Sequence, residues 1–245
     1  MSNRTIVAGV AMAVVVAIAS PAKASLQFNQ NVTPGVIFGS GNANGEFTTD
    51  RANGLELGLR GKLRHNAVGA PENTFNSNGD GTYTFQAGVA PTQSFPTAEW
   101  SYEWSINSNY DGNGANLDAY TYEMGLDIDP GPGTNFITFD PINVPYWDHS
   151  IGDNSTTSAT DFVAADDAEY ASLISNYNVA QNSWKAHWYM TPFNPNAAGR
   201  YDLYISASNG NGEQARVEAA ILVVPEPASL ALLGLGGLAL LRRRR

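Results

Sequence analysis

Through most of this chain apolar and polar residues alternate with a period of two, the pattern that a β-strand with one buried face imposes. Leu55, Leu57, Leu59 and Leu63 alternate with Glu56, Arg60, Lys62 and Arg64, which predicts a half-buried strand with a charged outer face. Tyr83, Phe85, Ala87 and Val89 alternate with Thr82, Thr84 and Gln86. Trp100, Tyr102, Trp104 and Ile106 share one face, and Ser101, Glu103 and Ser105 the other. Tyr120, Tyr122, Met124, Leu126 and Ile128 repeat the scheme against Glu123, Asp127 and Asp129. Trp184, Ala186, Trp188 and Met190 follow, then Tyr201, Leu203, Ile205 and Ala207, and last the run Val217 to Val224. Turn clusters such as Asn78-Gly79-Asp80-Gly81 and Asn209-Gly210-Asn211-Gly212 separate these segments. One-sided alternation of this kind marks antiparallel sheets. The expected fold is all-β, an antiparallel β-sandwich of jelly-roll-like or immunoglobulin-like type.

One segment breaks the period. Asp166, Asp167 and Glu169 precede Tyr170, Leu173, Ile174 and Tyr177, an acidic capping start followed by an i, i+3, i+4, i+7 apolar stripe. A short helix over about 166–176 is expected to pack on the sandwich, its acidic residues at the positive end of the helix dipole. Ser150 to Thr160 reads as a polar surface loop.

With no cysteine in the chain, disulfides, thiol catalysis and cysteine-ligated metals are all excluded. Between residues 25 and 224 there are 7 basic and 22 acidic residues, a net charge of −15. That charge opposes nucleic acid and anionic surfaces and leaves calcium, cationic surfaces and neutral polysaccharide as partners.

The two ends carry address signals. Arg4, the apolar run Ile6 to Ala19 and the small-x-small triplet Ala22-Lys23-Ala24 make residues 1–24 a signal peptide cut after Ala24, with Ala17-Ile18-Ala19 a second candidate site, which calls for the Sec translocon and signal peptidase. At the other end Pro225-Glu226-Pro227 precedes an apolar stretch, Ala228 to Leu241, and four arginines, Arg242 to Arg245. As a helix this 14-residue stretch reaches about 21 Å, short of the roughly 30 Å hydrocarbon core, and the arginines stay cytoplasmic. The domain thus runs over 25–222 and the sorting tail over 223–245.

This tripartite tail resembles the PEP-CTERM sorting signal of Gram-negative bacteria that make exopolysaccharide. The resemblance implies that Pro225, Glu226 and Pro227 are substrate residues for an exosortase, a membrane protease-transpeptidase. It also implies a transient inner-membrane anchor followed by transfer to the cell surface or extracellular (biofilm) matrix.

Chemistry within the domain is sparse. Asn107, Asn109 and Asp111, with Gly112 and then Asp118 at the twelfth position, have the spacing of a calcium loop, with Asn in place of the first Asp and Asp in place of the last Glu. Asp148, His149 and Asp153 supply part of a metal set without His-x-His or His-Glu-x-x-His spacing. No Gly-x-Ser-x-Gly elbow occurs. Tyr189 and Tyr204 fall off the apolar phase of their segments, and Tyr146 and Trp147 lie in a loop, so these four are the candidate ligand-binding aromatics. Two functions follow: a non-catalytic surface or matrix protein engaging exopolysaccharide, or a secreted polysaccharide-active enzyme on a lectin-like sandwich.

Overall fold

The structure, a computed structural model, describes residues 25–226. The signal peptide with Ala22 and Ala24, the residue Pro227 and the apolar tail lie outside the described residues. The strands are β1 (Gln27–Gln30), β2 (Phe47–Ala52), β3 (Leu55–Leu63), β4 (Thr82–Gln86), β5 (Trp100–Asn107), β6 (Thr121–Asp127), β7 (Phe136–Phe139) and β8 (Ser150–Gly152). Helix α1 (Asp167–Asn176), β9 (Val179–Lys185), the single turn α2 (Ala186–Tyr189), β10 (Gly199–Asn209) and β11 (Gly212–Val224) complete the chain. Two sheets face each other, one in the order β1-β2-β3-β5-β9-β8 and the other β4-β11-β10-β6-β7.

The apolar phase of each strand fills the space between the sheets. Leu57 lies opposite Ile106 and Leu59 opposite Trp104, while Ile205 faces Met124 on one side and Val217 on the other, all of them buried. Antiparallel pairing holds except between β4 and β11, which run parallel with Val224 opposite Gln86. These two strands are joined by no hairpin, so turn geometry does not impose their direction.

The outer face of the six-stranded sheet is not exposed, contrary to what the alternation predicts. Glu56, Arg60, Lys62, Ser101, Glu103 and Ser105 are all buried. Residues 31–46, the connection between β1 and β2, lie across this face as a strap, with Val32, Val36 and Phe38 forming a second small core with Phe47. A Cβ on Gly58 would come 2.8 Å from Val32 Cγ1, so a side chain there would lift the strap.

Hydrogen bonds hold the strap down. Thr33 N donates to Glu56 Oε1 at 2.6 Å, and Ile37 N to Gln181 Oε1 at 2.8 Å. The Arg60 guanidinium donates to the carbonyls of Gly45 and Ala43, sits between the rings of Phe47 and Phe75, and binds Glu103 Oε2 at 2.7 Å. Lys62 Nζ bonds Asn42 Oδ1 and lies 3.4 Å from Glu103 Oε1. Burial lowers the pKa of both Arg60 and Lys62, and the Glu103 charge opposes that shift. Buried charges persist only where such partners replace water.

The expected helix is present. Asp166 is its N-cap and accepts from Glu169 N at 2.8 Å, while Glu169 Oε2 reaches back to Ala165 N at 2.8 Å. Tyr170 and Leu173 carry its buried face.

Two other expectations are corrected. Ser150 opens β8, a buried edge strand pairing with β9, and only the residues after Gly152 form a loop. The alternation through Trp184, Ala186, Trp188 and Met190 breaks at α2. Ala186 and Met190, four apart on a helical turn, stay buried, while Trp188 turns out to 49 % exposure.

Candidate functional site

The sorting box begins where the sandwich ends. β10 and β11 pair from Asn209↔Gly212 to Gly199↔Val223, and Ala87 N donates to Val224 O at 2.7 Å. Pro225 follows at once and, having no N–H, cannot extend the ladder. Glu226 lies against Gly88, where an added Cβ would come 2.8 Å from Glu226 Oε1. A cleft of about 260 Å³ is lined by Gln86 to Pro91, Glu99 and Glu226, and a neighbouring one of about 340 Å³ by Ala87, Gly88, Asn196, Ala198, Pro225 and Glu226. Glu99 accepts from Gln86 N at 2.7 Å. Burial raises its pKa, the Gln86 bond opposes the rise, and the negative charge of Glu226 adds to it.

At the other end of β5 stands the loop with calcium-like spacing. Asn107 is fully buried. Its Nδ2 donates to Thr33 O and Asn154 Oδ1, and its Oδ1 accepts from Asn109 N and Asn178 Nδ2. Asn109 Oδ1 accepts from Gly114 N at 2.7 Å. Asp111 is exposed beside Gly54, and Asp118 is exposed in the 3₁₀ turn Leu117–Ala119. The Asn107 amide therefore joins the strap, β5 and the segments around Asn154 and Asn178. Among the described residues no three His, Asp or Glu side chains are grouped as a metal site.

The candidate aromatics divide among three environments. Tyr146 and Tyr189 belong to the cluster around Trp184, with ring centroids 5.6 and 4.3 Å from it, and Phe139 packs on both tyrosines. Tyr204 lies on the outer face of the five-stranded sheet, flat over Gly125, with Arg216 3.7 Å from its ring centroid, Phe136 at its edge and its hydroxyl bonded to Glu123 Oε1 at 2.5 Å. Trp147 is half exposed, and its Nε1 donates to Asp167 Oδ1 at 2.9 Å.

His149 is fully buried within the aromatic cluster, stacked on Tyr146 and edge-on to Trp104. Asn182 Nδ2 meets its Nδ1 at 3.1 Å, which leaves the Nε2 proton to donate to Pro141 O at 2.8 Å. Burial pushes its pKa down to about 4, opposed by the Pro141 bond and the Asp148 charge. Both ring nitrogens thus serve the fold, and Asp153 instead caps its own turn by accepting from Ser155.

Residues 223–245 match the family model of the PEP-CTERM protein-sorting motif. The match starts at Val223, so the last two residues of β11 are part of both the motif and the sandwich. The PEP-CTERM motif implies an exported protein, sorted to the cell surface and processed by an exosortase. No curated protein and no solved structure matches the chain. Of the motif's Pro-Glu-Pro box, the structure places Pro225 and Glu226 against the body of the domain with no spacer. The alternation did not disclose this proximity, because the residues that receive the box, Gly88, Asn196 and Ala198, are far from it in sequence. The exposure of Trp188 was equally hidden, since an isolated helical turn leaves little periodic signal.

Proposed function

We propose that the domain is a non-catalytic component of the cell surface or extracellular matrix that engages exopolysaccharide through the surface around Trp147. The observation that carries this reading is the state of that indole: half exposed, yet oriented by its bond to Asp167. An exposed aromatic face held in place offers a stacking platform at little entropic cost. Exposed Asp167, bonded to the indole, stands beside it to accept sugar hydroxyls, and Asp148, the next residue after Trp147, is exposed as well. The non-catalytic part is supported by the use of the buried acid–base groups: His149 binds Asn182 and Pro141, Glu103 binds Arg60, and Glu56 binds Thr33 and Arg51.

A glycan array tests the proposal. Trp147→Ala is expected to abolish glycan binding with the thermal transition unchanged, whereas Trp104→Ala, in the core, should destabilise by about 3–5 kcal/mol. Polysaccharide turnover lost on changing a single carboxylate would overturn it and make the protein an enzyme.

A further inference from the structure

Three uncharged loops gather where the chain leaves the sandwich. Residues 88–97, 66–71 and 191–199 contain no Asp, Glu, Lys or Arg, in a domain of net charge −15. They are in contact: Gly88 N donates to Pro195 O at 2.7 Å, and Gly69 lies against Thr92 with no room for a Cβ. Glu226 shares a cleft with Gly88 to Pro91. This end exposes Val68 at 75 %, Phe95 at 60 % and Trp188 at 49 %.

The cations fall into the same pattern. Arg51, Arg60, Lys62, Arg200 and Arg216 each have a carboxylate within 4 Å. Among the described residues Arg64 and Lys185 have none, and both stand at this end. Arg64 N binds Glu99 O, Lys185 lies opposite Ser101 next to the start of β5, and the Lys185 ammonium sits 5.6 Å from the Trp188 ring centroid. The carboxylates here include Glu72, tied to Asn66, Glu99, tied to Gln86, Glu226, and Asp129, whose neighbour Pro130 packs on Gly199.

We infer that this end of the sandwich lies on the bilayer surface while the tail is anchored, with Phe95, Val68 and Trp188 in the interfacial layer and Arg64 and Lys185 against anionic headgroups. The inference rests on the sorting-tail reading. Only Pro227 separates Glu226 from the apolar stretch at Ala228, two Cα steps or about 7 Å, so no other face of the domain can come as close to the membrane. The 14-residue stretch is shorter than the hydrocarbon core, and relieving that mismatch draws the attached body toward the headgroups. Aromatic side chains beside Lys or Arg are suited to that layer.

The absence of cysteine makes the test direct. Phe95→Cys, Val68→Cys and, at the opposite hairpin, Asn211→Cys would each carry one spin label in the full chain, reconstituted in phosphatidylcholine vesicles with and without phosphatidylglycerol. Labels at 95 and 68 are expected to be relaxed by oxygen and shielded severalfold from aqueous nickel, with shielding strengthened by phosphatidylglycerol and that increment lost in Arg64→Gln/Lys185→Gln. The label at 211 should behave as in water. A chain that floats with the vesicles while its labels at 95 and 68 relax like that at 211 overturns the inference alone. A chain that does not float overturns the anchoring and the inference together. Shielding that requires co-reconstituted exosortase also overturns it, and assigns the face to the protease.

Discussion

Arg60 Nε donates to Glu103 Oε2 at 2.7 Å across β3 and β5, and both side chains are fully buried beneath the strap. The same carboxylate is the anionic partner of Lys62. Glu103→Gln keeps the shape and removes the charge, leaving two buried cations uncompensated. A loss of about 3–5 kcal/mol is expected, read as a lower urea midpoint at unchanged m-value. A loss below about 1 kcal/mol, the scale of an exposed pair, would mean that water reaches this face.

The burial of His149 is expected to make the domain acid-sensitive. Its folded pKa of about 4 lies below the ordinary 6.5, so between those values the unfolded chain binds the proton and the folded one does not. Stability should therefore fall as the pH drops from 6.5 towards 4, by up to about 1.4 kcal/mol per pH unit. Glu56 and Glu99, whose pKa values are raised by burial, act in the opposite direction above 4.5. The pH profile of His149→Gln against the parent isolates the histidine, and identical profiles would refute its role.

The Asn107 amide is expected to be structural. Asn107→Ala takes one of the two acceptors from the buried Asn178 amide, leaving it Asn154 Oδ1, and removes the donor to the Thr33 carbonyl, and should cost about 1–3 kcal/mol. Because the amide oxygen already accepts two bonds, millimolar calcium and EDTA should give the same Tm. A rise with calcium following RT ln(1 + [L]/Kd) would instead make Asn107, Asn109, Asp111 and Asp118 a calcium loop, as their spacing predicts.

Intact mass tests the processing. Exported protein should begin near Ser25 and end close to the Pro-Glu-Pro box, retaining Val224, whose carbonyl completes the β4–β11 ladder. Mature exported material still carrying Arg242 to Arg245 would contradict sorting at this motif.

The period-two alternation determined β3, β4, β5, β6, β10 and β11 and their inward face, because burial between two sheets depends on residue spacing within each strand; the shorter β1, β2, β7 and β8 left no such signal. The start of α1 at Asp166 and the Pro-Glu-Pro tail were legible for the same reason: a cap and a sorting box are local patterns. Tertiary structure decided the rest. Alternation separates the two faces of β3 and β5 but does not reveal that a strap from residues 31–46 covers the polar one, since Arg60 meets the carbonyls of Ala43 and Gly45 only after long-range docking. In the same way the spacing of Asn107, Asn109 and Asp111 is local, whereas Thr33, Asn154 and Asn178, which take up the Asn107 amide, arrive from three distant segments. The convergence of loops 66–71, 88–97 and 191–199 around Glu226 likewise depends on the parallel approach of β4 to β11, a pairing between strands that no turn connects and that only the packed sandwich specifies.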